Sequence, residues 1–538
     1  MSPTISYPGV YIEEIPSGVR AVTGVGTSNT AFIGYFTRGP MNEAVRMTSP
    51  ADFDRTFGGL DSASDASYQV KQYFLNGGRV AFVVRVVSGV AAKASLTLQG
   101  GSPFQDTLVI NASSEGEWGS ALRVAITVAP ADDELFNLTV REVVSSNGYE
   151  QVAAEESFID LSMDSASPRF VEKIINSAST LIKVHTIGTG VLPLTSSTNT
   201  DGSIPDVAFQ LLSGGSNGNE PDALAIEGSA AAKTGLYTLD KLSPGEFNIL
   251  CIPAAAELTT GYSAVITQAA DYCRARRAFL IIDIPRSVAT YADMLSWASE
   301  TGDQLRSTNA AVYFPRLNIA DPLKDNKPRN IAVSGTIAGL YARTDAARGV
   351  WKAPAGKEAV LHGVSVTAKL TDAENGQLNP LGVNAIRIFP AYGNVCWGSR
   401  TMYGADAMAS EWKYIPVRRT ALYIEESLYQ GLQWTVFEAN EETLWAQIRL
   451  TVDGFMHTLF RQGAFQGASA RDAYFVKCDS ETTTQNDINA GKVNIVVGFA
   501  MLKPAEFVVI TIRLIAGQVQ RSNIRFKSSP YTLKNNRL

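Results

Sequence analysis

Short apolar runs alternate with amphipathic stretches along most of this chain, and the alternation predicts strands and helices in a definite order. Residues 7–14 predict a strand near the start of the chain. Val10, Tyr11, Ile12 and Glu13 form its centre, Pro8 and Gly9 open it, and Pro16, Ser17 and Gly18 close it. No neighbouring segment has the pattern of a hairpin partner. The strand's backbone groups must therefore pair with a distant strand of the same chain or with another chain, and the residues alone leave both open.

A compact block follows over residues 19–90, with strands at 31–36 and 80–87. Between them, a helix over 67–75 is stopped by Asn76-Gly77-Gly78. From 91 to 235 the texture shifts to Ser, Thr, Asn, Asp and Gly. Short strands such as 122–128 and 135–143, and one helix over 169–179, predict an inserted, β-rich α+β module. Residues 236–504 then show strand–helix alternation, with strands at 247–252, 279–284 and 311–314. Helices are expected at 263–276, 291–306 and 331–343, an order that favours an α/β sheet with right-handed crossovers. Two later helices cover 423–432 and a longer stretch N-capped by Asn440. The apolar stripe of the longer one is Leu444, Ile448, Val452, Phe455 and Leu459. The last segment, 505–538, opens with a strand at 506–514 that includes Phe507, Val508, Val509 and Ile510, and ends in a polar tail.

Charge sharpens this division. The insert at 91–235 has seven basic and eighteen acidic residues, a balance of −11, so the remainder of a chain with net charge −6 carries +5. From Arg513 onward there are six basic residues and no acidic ones. Such asymmetry suits a module that faces solvent and a remainder that meets an acidic partner. A nucleic-acid partner fits poorly, because the basic residues form no dense patch interleaved with aromatics. No apolar run approaches the ~18 residues of a membrane span, and the opening Met-Ser-Pro-Thr has no secretory-signal pattern. Cys251, Cys273, Cys396 and Cys478 have no metal-ligand spacing, as expected of a chain folded in a reducing cytoplasm.

Candidate chemistry is sparse. Leu212-Ser213-Gly214-Gly215-Ser216 resembles a transporter-ATPase signature loop, yet no phosphate-cradling loop accompanies it, and a linker reads better. Asp283 follows an apolar strand at the carboxyl end, where open α/β sheets bind ligands; without a companion His or Gly-rich turn it reads as a capping or loop residue. His185, His362 and His457 are isolated, and Asp132-Asp133-Glu134 lacks the spacing of a calcium loop. No catalytic, cofactor or metal residue is assigned. The alternative to a structural role is an α/β nucleotide-binding enzyme.

Several segments together resemble the contractile tail sheath proteins of myophages and phage-tail-like injection systems. They include the opening Pro8-Gly9-Val10-Tyr11-Ile12-Glu13-Glu14, Phe74-Leu75-Asn76-Gly77-Gly78 with Val83-Val84-Arg85-Val86, and Leu212-Ser213-Gly214-Gly215. The C-terminal third adds Tyr341-Ala342-Arg343-Thr344-Asp345, Arg348-Gly349-Val350-Trp351-Lys352, Leu378-Asn379-Pro380-Leu381-Gly382, Cys396-Trp397-Gly398-Ser399-Arg400 and Phe437-Glu438-Ala439-Asn440. The resemblance covers residues 7–514; the basic tail from Gly517 runs beyond it.

The resemblance implies a non-enzymatic, self-assembling subunit without cofactor. Stacked hexameric rings would surround an inner tube, with baseplate and terminal cap proteins as further partners and no membrane insertion. Residues 1–18 would be one linking arm and 505–538 a second arm followed by the basic tail, the arms being shared with neighbours as added strands through Val10–Glu13 and Phe507–Ile510. The N-terminal block and C-terminal part would lie inside near the tube, with Arg343 and Arg348 as possible tube contacts, and the acidic insert would project outward. Assembly is expected in the bacterial cytoplasm, as part of a phage tail or a related particle, followed by contraction that drives the tube through a target envelope.

Overall fold

The computed structural model describes residues 21–129, 134–146, 148–187 and 190–507. The strand expected at 7–14, and that at 506–514 from Val508 on, lie outside them. Described residues up to Lys503 form one compact unit, and the segment from Pro504 is a second, without regular secondary structure over 504–507.

The first unit opens with β1 (Thr30–Gly34), β2 (Ala44–Met47), α1 (Pro50–Phe57), α2 (Asp65–Leu75) and β3 (Ala81–Arg85). The insert contributes β4 (Ser95–Gly100), β5 (Gln105–Ala112), β6 (Leu122–Val128), β7 (Phe136–Ser146), β8 (Tyr149–Leu161), α3 (Val171–Ala178), β9 (Ile182–Thr186) and β10 (Gln210–Leu211). Next come β11 (Ile249–Cys251), α4 (Tyr262–Ala275), β12 (Phe279–Ile282), α5 (Tyr291–Ser299), β13 (Ala310–Phe314), β14 (Leu317–Asp321) and β15 (Lys327–Ile331). The rest includes α6 (Ser334–Arg348), β16 (Ser365–Val366), β17 (Val383–Phe389), β18 (Gly393–Cys396), α7 (Ile415–Gly431), α8 (Glu442–Arg461), β19 (Tyr474–Lys477) and β20 (Val496–Phe499), with shorter helices between them.

The central sheet has eight strands in the order β18-β17-β13-β12-β11-β1-β3-β2. β1 runs parallel to both β3 and β11, whereas the edge strands β2 and β18 are antiparallel to their neighbours. Helices cover both faces, so a central strand such as β12, Phe279-Leu280-Ile281-Ile282, is apolar throughout. Successive side chains enter opposite cores. Ala31, Ile33, Leu250 and Leu280 meet α4 and α5, while Phe32, Cys251, Phe279 and Ile281 meet α2 and α6.

α2 and α6 touch backbone to backbone. A Cβ on Gly335 would lie 2.1 Å from the Gln69 carbonyl oxygen, so only glycine permits this approach. The contact is fixed by the Gln69 side chain, whose Oε1 accepts from Gly335 N at 2.8 Å.

The insert has its own core. Sheets β10-β6-β7-β8 and β4-β5-β9 enclose Ile110, Val124, Leu138, Val171 and Ile175. Its two chain crossings run as an antiparallel ribbon, pairing Ser88 with Asn219, Ala92 with Ser216 and Ser95 with Ser213. The glycine-containing 212–216 segment is thus part of a tether.

Three expectations are corrected. The helix expected over 291–306 breaks at Glu300, ahead of the poor helix formers Thr301 and Gly302. The helix expected over 423–432 already begins at Ile415, where Pro416 occupies the first turn, in which its missing N–H costs nothing. Asn440 is not the cap of α8. It accepts from Trp445 Nε1 at 2.9 Å and donates to the Lys492 carbonyl at 2.9 Å, leaving Glu441 at the N-cap.

Gly335→Ala should lower stability by about 1–3 kcal/mol through overpacking. Gly376→Ala, where a Cβ meets open space, should be neutral or stabilise by ~0.4–1 kcal/mol. Urea denaturation of the two variants checks the contrast; equal midpoints would refute the close-packing account.

Candidate assembly surfaces

β19 and β20 pair only with each other among the described residues, in the register Tyr474 to Phe499 through Lys477 to Val496. One face of this small sheet rests on the α8 core of Phe455, Met456 and Leu459. Phe475 and Val496 remain 51% and 45% exposed. A two-stranded ribbon is marginal by itself, and its unpaired N–H and C=O groups are templates for an extended segment. Neither strand is among the sequence-based expectations. At four residues each, with Gly498 in the second, they are too short for period-two alternation to stand out.

The described chain begins on the surface of α7 and α8. Val25 N donates to Ser427 Oγ at 3.2 Å. Gly24 lies so close to Tyr423 that a Cβ would sit 2.0 Å from its hydroxyl. A groove of about 350 Å³ lies alongside, lined by Ala21, Val22, Tyr423, Leu450 and Phe455. Further in, Arg419 grips the Thr27 carbonyl at 2.8 Å while forming a bidentate pair with Asp345 at 2.6 and 3.0 Å. Both side chains of that pair are under 5% exposed, and the guanidinium lies 4.5 Å over the Tyr341 ring. This clamp sets the direction in which the N-terminal segment leaves the body.

A second joint holds the insert to the body. The fully buried guanidinium of Arg85 donates to the carbonyls of Gly39 at 2.9 Å, Glu115 at 2.6 Å and Asn217 at 3.2 Å. These acceptors come from the turn after β1, the β5–β6 loop and the returning tether. Burial pulls the guanidinium below its usual pKa, partly offset by the Glu115 charge. Nearby, Arg38 forms a two-oxygen pair with Glu142 of β7 at 2.9 and 3.0 Å and stacks 3.8 Å over Trp118.

The sequence-predicted residues are scattered. Val10, Tyr11, Ile12, Glu13, Val508, Val509 and Ile510 lie outside the described residues, and Phe507 is 75% exposed. Arg343 donates to the carbonyls of Asn76, at 3.1 Å, and Val360. Arg348 is half exposed and pairs with Glu358 at 2.8 Å. Asp283 is a capping residue: its Oδ1 accepts from Val333 N and Ser334 N at 2.9 Å each, at the start of α6. A carboxylate of the chain itself thus occupies the helix N-terminus where an α/β nucleotide enzyme would hold phosphate. Burial pushes this carboxyl's pKa up. Among the described residues no group of His, Cys, Asp and Glu could hold a metal ion, and no helix is long and apolar enough to cross a membrane.

Comparison with known proteins places this geometry. The phage tail sheath central-domain model matches residues 221–402 and the phage tail sheath C-terminal-domain model matches 408–515, together more than half of the chain. A prophage major tail sheath protein of Pseudomonas aeruginosa is 26% identical over 295 residues, 53% of this chain and 71% of that protein. The contracted helical sheath of the anti-feeding prophage superposes with a TM-score of 0.54 at 25% identity, covering 95% of this chain and 99% of the other. A sheath tail protein of Listeria innocua shares the fold at 12% identity, with a TM-score of 0.59 over 90% of this chain and 96% of its own.

Two variants test the joints. Gly24→Val should leave the urea midpoint nearly unchanged but reduce the fraction that sediments as polymer, because the departing segment is displaced from Tyr423. Arg85→Met should cost about 2–4 kcal/mol by stranding three carbonyls. It should also speed proteolytic cleavage within the 88–95 and 213–219 tether; unchanged cleavage there would refute the role given to Arg85.

Proposed function

The chain belongs to the phage tail sheath family, as a contractile sheath subunit of a phage tail or tail-like injection system, and from that premise we propose how it assembles and works. Subunits stack as hexameric rings around an inner tube and are linked by strand addition. The observation that carries this reading is the small β19–β20 sheet, which has no third strand among the described residues and is seated on α8. Residues 10–13 of one neighbour and 507–510 of another extend it. Each added hydrogen bond contributes only ~0.5–1.5 kcal/mol net, so several bonds per arm make a link that holds without being rigid.

The links persist while the bodies turn. The free energy for contraction lies in the difference between two body-to-body packings and requires no nucleotide. The mildly basic inner part faces an acidic tube, and the acidic insert at 91–235 projects outward. Of the two candidate tube contacts, Arg348 can exchange its exposed pair with Glu358 at little cost, whereas Arg343 would abandon two carbonyls. Contraction drives the tube through a target envelope. Baseplate and terminal cap proteins close the ends, and assembly takes place in the bacterial cytoplasm before release.

Negative-stain microscopy of the purified chain tests the reading. Long hollow tubes are expected, and removal of residues 1–18 should abolish them while circular dichroism and the unfolding midpoint stay the same. Dispersed monomers at high concentration, or tubes that survive the deletion, would overturn it.

A further inference from the structure

The loop joining α7 to α8 presents apolar side chains to solvent. Val436 is 57% exposed and Phe437 fully so, at 103%. Phe437 also has φ of 70°, a left-handed conformation that a bulky side chain seldom adopts. An aromatic held outward on an unfavourable backbone is a contact residue awaiting a partner.

Charge identifies the partner. Between Arg419 and Arg449 there are five acidic residues and no Lys or Arg. Glu425, Glu426 and Glu442 are paired with Arg418, Arg277 and Arg449. Among the described residues, Glu438 and Glu441, which follow Phe437 up to the start of α8, have no cationic partner within 4 Å. The complement is in the same chain. After Gly517 come Arg521, Arg525, Lys527, Lys534 and Arg537, spread over seventeen positions with no acidic residue, and with the apolar Ile524 and Phe526 nearby. This tail lies past residue 515, where the family match ends.

Position agrees with charge. Asn440 donates to the Lys492 carbonyl at 2.9 Å, so the loop is anchored just ahead of β20. We propose that the basic tail of one copy docks on Val436 and Phe437 of a neighbouring copy, with its cations facing Glu438 and Glu441. The proposal rests on the arm exchange described above: a strand ending near Leu514 at the β19–β20 sheet releases its continuation beside this loop. Seven residues to Arg521 span at most about 25 Å. The tail is then a second, salt-sensitive fastening added to the strand link.

The test uses the full chain with photoreactive benzoylphenylalanine in place of Phe437, mixed with an isotope-labelled wild-type copy. The sample is irradiated after assembly and cross-linked peptides are mapped by mass spectrometry, while microscopy of the same sample records tubes. Cross-links from position 437 to labelled peptides within residues 518–538 are expected. Glu438→Lys with Glu441→Lys should cut their yield roughly threefold, as befits two exposed ion pairs, and Arg521→Glu with Arg525→Glu should restore it. Tubes without such cross-links, or cross-links confined to the same copy or to another segment, overturn the tail docking alone. Absence of tubes overturns the arm exchange and this inference with it.

Discussion

The backbone pairing of Thr30–Gly34 is the constraint on which the rest of the molecule depends. β1 hydrogen-bonds β3 on one side and β11 on the other, and each of its residues is buried. At its entrance Asn29 N donates to Asn248 Oδ1, 219 residues further along. A parallel pairing at that separation closes only if the intervening chain leaves the sheet and returns, so the insert must fold as a separate core beside it. The same pairing joins the N-terminal block to the C-terminal part within one compact unit. The segment before β1 is thereby aimed along α7 and α8.

Two buried cations hold this arrangement in register. Arg85 is bound by carbonyls from three separate segments, and Arg419 by Asp345 and the Thr27 carbonyl. Buried charges contribute little net stability, because desolvation offsets most of the attraction. Their directional demands are strict, however, and they sit where the body meets the insert and where it meets the departing N-terminal segment. Forces transmitted through a sheath would cross both places. Fixed geometry at both places is consistent with the proposed subunit, which would turn as a unit while linked to its neighbours.

Much of the fold was legible in the residues. Apolar runs such as Phe279-Leu280-Ile281-Ile282 predicted inner strands, and the polar texture with its charge balance of −11 set apart residues 91–235, among which the structure has a separate apolar core. Non-local effects were hidden. Arg85 ends a strand and would ordinarily reach solvent; only the convergence of Gly39, Glu115 and Asn217 buries it. Arg343 looked available to a partner because its acceptors lie at Asn76 and Val360, far away in sequence or beyond a turn. The β19–β20 sheet, which the proposed strand addition uses, was too short to stand out. Asp283 was expected to be a capping or loop residue; the structure shows the cap, and its partner, the start of α6, could not be named from one sequence.

The central claim is that β19 and β20 receive strands from other subunits. Cryo-electron microscopy of assembled tubes, at a resolution that traces the main chain, tests it most directly. The account predicts a four-stranded sheet at Tyr474–Lys477 and Val496–Phe499, whose two added strands trace to residues near Val10–Glu13 and Phe507–Ile510 of different neighbours. A sheet that stays two-stranded in the tube, or one completed by the arms of its own subunit, would contradict it.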